Sequence, residues 1–178
     1  AQTLHIAYYD KELLAVAAKK SGLSSQFMNT YDEKPTRSFL YSLVMGQRGL
    51  FTDSAEATVE QLAANAQRDA ILAVAGEGSC VIVGRCADHV LRNEQGLLRV
   101  FLTADHGDRI QRICRRDSVT TAEAEEKLQR MDRSRAAYYR FRCDQTWGAA
   151  ANYDLCINVS RWGVDAAVET IVERCSRS

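Results

Sequence analysis

The chain has 178 residues, 46% of them hydrophobic and 26% charged, and its 23 basic side chains are balanced by 23 acidic ones. That length predicts one domain burying roughly 70% of the surface its unfolded chain would expose, and no repeat, low-complexity tract or linker interrupts it. No apolar run approaches the roughly 18 residues of a membrane span and no signal-peptide pattern opens the chain, which predicts a soluble, cytosolic protein without a membrane partner.

The predicted elements alternate strand and helix. A short strand at Ile6 to Tyr8 ends at Asp10, which is placed to cap a helix carrying Leu13, Leu14, Ala17 and Ala18 as far as Gly22. Ser24 or Ser25 starts a second short helix, the segment 32–35 with its proline breaks it, "SFLYSLVM" resumes helical structure, and 46–54 reads as a loop. From Glu56 to Ala75 the positions Val59, Leu62, Ala63, Ala66, Ala70 and Val74 keep helical spacing, and Gly76 and Gly78 mark the end. Apolar runs at 80–84, 97–104 and 154–158 are short and continuous, as in strands covered on both faces. Between them fall helices at about 105–116 and 121–142, the second opened by a capping box of Thr120 and Glu123. A last helix places Val164, Ala167, Val168, Ile171, Val172 and Cys175 on one stripe. The fold class is α/β, a parallel sheet covered by helices on both faces.

Six cysteines, at 80, 86, 114, 143, 156 and 175, form no Cys-x-x-Cys pair. Cys80 and Cys156 lie inside apolar runs, so the thiols read as reduced, small hydrophobes rather than a disulfide framework or a zinc site, and no metal ligands are assigned. The neutral total conceals a local excess of cations: Arg109, Arg112, Arg115, Arg116, Lys127, Arg130, Arg133, Arg135, Arg140 and Arg142 crowd one region. Such a field fits an anionic ligand, and a solvated helix face would carry it too.

In parallel sheets ligands bind beyond the carboxyl ends of the strands, where loops and helix amino termini converge. Arg85 follows the strand ending at Gly84, and Asp10 has the same placement after the first strand. The structural alternatives are pairing of Arg85 with Asp88 and simple helix capping by Asp10. A stronger signal is "MDRSRAAYYR" at 131–140. Leu128, Met131, Asp132, Arg135, Tyr138, Tyr139 and Arg142 share one helix face, a stripe that begins apolar and turns into carboxylate, guanidinium and phenol. Arg130, Arg133 and Arg140 form an adjacent face. Guanidinium forks match phosphate oxygens, and phosphoryl transfer needs positive charge around the transferred group.

"YYDKELL", "QRDAI", "VIVGRCADHVL", "RIQR", "DRSRAAYY", "NYDLCINVS" and "GVDAAVETI", in that order along nearly the whole chain, resemble the cytidylate-kinase-like family of P-loop nucleoside monophosphate kinases. The resemblance implies a P-loop NTPase fold in one kinase-like domain, 1–178, with a monophosphate-binding helical region at about 23–78 and a lid at about 105–150. It implies that Asp10 and Arg85 lie near the acceptor nucleotide, that Arg68 contacts its base or phosphate, and that Asp132 and Arg135 bind acceptor ribose and phosphate. Arg109, Arg112 and Arg133, with Arg135, would neutralise the transferring phosphoryl group, and a loop around Ser160, Arg161 and Gly163 would flank the donor's adenine. The implied reaction is in-line transfer from ATP with Mg2+ to a nucleoside monophosphate or other small acceptor, without a general base.

Two departures stand out. Where cytidylate kinases have an aspartate after the Gly-Arg pair, this chain has Cys86, which leaves base preference open. And no Gly-x-x-x-x-Gly-Lys-Ser/Thr occurs in the 178 residues. The family's strand leading to that loop lies between those at 80–84 and 97–104, so the expectation is that the chain continues upstream of Ala1 with a strand, a glycine-rich loop and a helix ending in "AQTL". The alternative function is a catalytically silent nucleotide-binding or regulatory domain. A nucleic-acid partner is not expected, because the net charge is zero and the arginines are interleaved with Glu123, Glu125, Glu126 and Asp132.

Overall fold

The computed structural model describes residues 1–10, 13 and 53–176, the side chains of 53–63 excepted. The expected helix from Asp10 to Gly22 beyond Leu13, the helices from Ser24 and at 38–45, and most of the 46–54 loop lie outside those residues. The molecule is mixed α/β, with short parallel strand pairs, and divides into two compact units, residues 1–93 and 94–178.

In the first unit β1 (Ala7–Tyr9) pairs in parallel with β2 (Cys80–Ile82), Ala7 opposite Cys80 and Tyr9 opposite Ile82. The Val83 amide donating to the Tyr9 carbonyl at 2.9 Å extends the pairing by one residue. Helix α1 (Asp53–Gly76) leads into β2, and the one-turn α2 (Ala87–Val90) follows it. The helical spacing of α1 is seen in what it buries: Ala66, Gln67, Ala70, Ile71 and Val74, with Ile71 fully removed from solvent. Leu13 is helical and also fully buried. Side chains of this kind stabilise by about 1.5–3 kcal/mol each on burial.

In the second unit β3 (Val100–Thr103) pairs in parallel with β4 (Leu155–Asn158), Val100 opposite Leu155 and Thr103 opposite Asn158. Helix α3 (His106–Asp117) leaves the carboxyl end of β3 and turns at Ser118, whose φ of 54° ends it in the left-handed region. Helix α4 (Thr121–Cys143) then starts on the expected capping box, the Thr120 hydroxyl accepting from the Glu123 amide and the Glu123 carboxylate accepting from the Thr120 amide. Ile113, Ala124 and Leu128, with Ile110, Cys114 and Val119 against them, form the core joining α3 to α4. A 3-10 turn (Ala150–Asn152) returns the chain to β4. The one-turn α5 (Val159–Trp162) and then α6 (Val164–Ser176) complete the unit.

Entry to β4 is fixed at two points. Arg99 donates to Asp154 through its amide at 2.8 Å, Nε at 3.1 Å and Nη2 at 2.8 Å, while its carbonyl accepts from the Asp154 amide at 2.8 Å. Trp147 meets Phe101 edge-on at 5.4 Å, and Tyr153 lies 5.0 Å from the same ring.

The strands are less covered than their continuous apolar runs predict. Cys156 is exposed while its neighbour Ile157 is 6% exposed, and Leu102 of β3 is 54% exposed. Leu102 is opposite Ile157 and Cys156 opposite Phe101, and paired residues share a face, so the two exposed side chains lie on opposite faces and neither face is fully covered. Cys156 is therefore a surface thiol and not a small core hydrophobe. Cys80 does meet that expectation in part: burial raises its thiol pKa, and its sulfur lies 3.9 Å from the Val74 carbonyl.

Candidate functional site

The first unit places Arg85 and Asp10 together. β1 and β2 run parallel, so the residues just beyond their carboxyl ends are neighbours, and Arg85 Nη1 lies 3.8 Å from Asp10 Oδ1. Arg85 is thus paired with Asp10, across the sheet. The Arg85 side chain is 5% exposed and that of Asp10 36%. A buried guanidinium needs a compensating charge, which Asp10 supplies. The turn presenting Arg85 is unusual, because Gly84, Arg85 and Cys86 have successive φ values of 73°, 57° and 55°. Glycine adopts this freely, whereas the two following residues carry strain of about 1–2 kcal/mol each. Strain of this kind persists where the surroundings hold a side chain in a required place. Cys86 is buried, and Arg68 is on the surface, its side chain 59% exposed and 3.8 Å from the Asp69 carboxylate.

The second unit brings Arg109 of α3 onto Asp132 of α4. Arg109 Nη1 and Nη2 donate to the two carboxylate oxygens at 2.8 and 2.7 Å, an end-on fork between side chains 31% and 29% exposed. The fork uses one N–H on each terminal nitrogen, and a guanidinium has five, so three remain for another acceptor. A carboxylate at this position can accept from sugar hydroxyls or hold an arginine in position, and Asp132 here grips Arg109. Two further contacts join α3 to α4, His106 with Glu125 at 2.9 Å and Lys127 with Asp117, and Asp117 also receives its neighbour Arg116 within α3. These two cations hold the Asp117 carboxyl well below the usual carboxylate range, the Arg116 hydrogen bond most of all.

The two faces read on α4 are distinct. Leu128, Tyr138 and Tyr139 are buried and Met131, Asp132, Arg135 and Arg142 half-buried, while Arg130, Arg133 and Arg140 are exposed. Arg133 reaches Gln129 at 3.4 Å, and Arg112 on α3 is exposed.

At the carboxyl ends of β3 and β4 a third cluster centres on Asp105. Its amide donates to Ser160 Oγ at 2.9 Å, its Oδ1 accepts from Asn158 Nδ2 at 2.8 Å, and its Oδ2 lies 3.1 Å from Arg161 Nη2. Asn158 Oδ1 in turn accepts from the Ser160 amide at 2.9 Å. This corrects the expected loop: Ser160 and Arg161 lie in the helical turn α5, capped by Asn158, and Gly163 ends that turn with φ of 82°. Hydrogen bonding by Asn158 at the amino end and Asp105 from the neighbouring strand favours the turn over irregular structure. Arg161 remains 73% exposed. Asp105 and Asn158 were not singled out from the sequence, although both directly follow or end a strand, as Arg85 does. Among the described residues no group of three or more His, Cys, Asp or Glu is placed to hold a metal ion, so no residue is assigned to Mg2+. No helix among them is long and apolar enough to cross a membrane.

The geometry agrees with what this chain is similar to. A crystal structure of an uncharacterized protein from Eubacterium ventriosum ATCC 27560 matches with a TM-score of 0.71 and 25% identity, covering 100% of this chain and 88% of that one. A cytidylate kinase of Methanopyrus kandleri is 29% identical over a match covering 56% of this chain and 60% of that protein, less than two thirds of its length. The model of the cytidylate kinase-like family matches residues 1–161, and the chain belongs to that family.

Proposed function

We propose that the protein transfers a phosphoryl group from ATP to a nucleoside monophosphate, in a P-loop NTPase fold of one kinase-like domain. The observation that carries this reading is the forked Arg109–Asp132 pair, which fixes a guanidinium with three unspent donors on the arginine-rich α3–α4 hairpin of a chain in a kinase-like family. Asp132 is the positioning residue in this account. Arg109, Arg112, Arg133 and Arg135 meet the phosphoryl oxygens as charge develops, which is where a phosphoryl transferase lowers its barrier. Asp10, Arg68 and Arg85 bind the acceptor, Arg85 by its charge at the end of β2. Ser160, Arg161 and Gly163 flank the donor's base. An acceptor phosphate oxygen is already anionic, so alignment and neutralisation suffice and no general base is required. ATP with Mg2+ supplies the activated phosphoryl group. The described residues offer no cluster to hold the metal.

Cys86 leaves the acceptor base open, since a buried thiol does not offer the carboxylate that would accept from a cytosine amino group. The second reading, nucleotide binding without turnover, is favoured by the lack of a Gly-x-x-x-x-Gly-Lys-Ser/Thr in the 178 residues. One experiment separates the two: a panel of nucleoside monophosphates with Mg-ATP, assayed on the protein and on its Arg85→Ala and Arg135→Ala variants. Loss of one charge-assisted phosphate contact, about 1.5–3 kcal/mol, lowers kcat/KM by about 10- to 100-fold. Unchanged turnover in both variants removes the site assignment, and nucleotide binding without turnover selects the second reading.

A further inference from the structure

The second unit carries two exposed helix faces of opposite charge. On α4 the helical rotation brings Arg130, Arg133, Ala137, Arg140 and Phe141 into one arc, and all five are exposed, Phe141 at 73%. The exposed acids Glu126 and Asp144 bound the cationic stretch at either end. On α6, Val164 and Val168 form one column, 58% and 41% exposed, and the exposed Asp165 and Glu169 form the column beside it. Trp162, 64% exposed, precedes this column across the turn at Gly163. Single apolar residues on a surface need no explanation, but here a phenylalanine stands among guanidiniums and a tryptophan and two valines beside carboxylates. Each face thus supplies what the other lacks.

We propose that the two faces meet between two copies of this chain, α4 of one protomer lying on α6 of its partner, with the reciprocal contact closing a two-fold dimer. A second copy is the occupant that charge complementarity selects, because every chain brings both halves and a two-fold axis uses each half once. Arg130 and Arg140 lie about 15 Å apart along α4, and Asp165 and Glu169 about 6 Å apart along α6. The flexible arginine stems span that difference. Between the arginines Ala137 offers only a methyl, which lets the helix axes approach to about 8–10 Å, and Phe141 one turn on reaches the valine column. Two such contacts double the area of a single helix pair, toward the roughly 1,200 Å² of a specific interface. This proposal does not depend on phosphoryl transfer.

Sedimentation of the purified chain tests it, with two charge-reversed variants. One carries Arg130→Glu and Arg140→Glu, leaving Arg133 in place, and the other carries Asp165→Arg and Glu169→Arg. The wild type is expected at twice the mass of one chain in about 0.05 M salt and to shift toward a single chain in about 0.5 M, where charges are screened beyond a few ångströms. Each variant alone is expected at single mass, since both of its contacts join like charges. Mixed in equal amounts they are expected to return to double mass, because both contacts in the mixed dimer again join opposite charges. Phe141→Ser, which alters no charge, is expected to weaken the dimer at least about tenfold. The proposal is overturned by a wild type of single mass throughout, by charge-reversed variants that keep the double mass, or by a mixture that stays at single mass while circular dichroism shows both variants folded.

Discussion

Asp132→Asn keeps the shape of the side chain and removes the charge that grips Arg109. Both partners are about 30% exposed and joined by two hydrogen bonds of 2.7 and 2.8 Å. A fully exposed pair contributes under about 1 kcal/mol. The forked geometry and partial burial raise this toward about 2 kcal/mol, and for a protein of this size each 1 kcal/mol moves Tm by about 2–4 °C. The expected loss for Asp132→Asn is therefore about 4–8 °C. A cycle with Arg109→Gln and the double variant isolates the pair: thermal melts are expected to give a coupling of about 1–2 kcal/mol. If Asp132 acts by positioning Arg109, the double variant is no slower than the slower single one, and Asp132→Glu recovers part of the rate, whereas a direct contact of Asp132 with the acceptor makes the losses in kcat/KM add. Melting points additive to within about 0.4 kcal/mol would refute the positioning argument.

Three further outcomes follow from the packing of the second unit, where both tryptophans lie and where fluorescence therefore reports unfolding. Asp154→Asn removes the Arg99 clamp at β4 and, discounted for side chains 35% and 37% exposed, costs about 1 kcal/mol at neutral pH. The Arg99 side-chain hydrogen bond, and then its amide, hold the Asp154 carboxyl below its ordinary value, so its contribution is complete above the unfolded value of about 3.9 and is lost as pH falls through the folded one. The difference between wild type and Asp154→Asn in fluorescence-monitored melts is thus expected to shrink below about pH 4; a gap that widens there contradicts this account. Gly148→Ala places a Cβ 3.0 Å from Phe101 Cζ at a residue whose φ is +74°, and about 2 kcal/mol of destabilisation is expected in urea titrations. Leu128→Ala, in the core of the α3–α4 hairpin at 4% exposure, is expected to cost about 3 kcal/mol by the same titration.

How much of this was legible in the sequence depended on the range of the interactions concerned. The capping box of Thr120 and Glu123 is a contact across three residues, so its two letters suffice, and α4 begins there. The period of α1 was equally plain, whereas Tyr138 and Tyr139, on a stripe that reads as turning polar, are buried. Placement at strand ends was legible too, because parallel pairing alone makes Asp10 and Arg85 neighbours. What the letters did not contain was the choice among partners. Arg85 meets Asp10 from across the sheet, and Asp132 is gripped by Arg109 from another helix. Those preferences arise from the crossing of elements far apart in the chain, and single-sequence spacing carries no information about them. The Asp105 cluster shows the same limit from the other side. Asn158, Ser160 and Arg161 reach Asp105 across 53 to 56 residues of chain, and only the register of β3 on β4, Thr103 opposite Asn158, draws them together. The helical turn that replaces the expected loop is a product of that register, since Asn158 caps it from the strand end and Asp105 ties it to the neighbouring strand. A change that slips the register by one residue would turn Asn158 to the opposite face of the sheet and dissolve the turn, leaving the local sequence of α5 untouched.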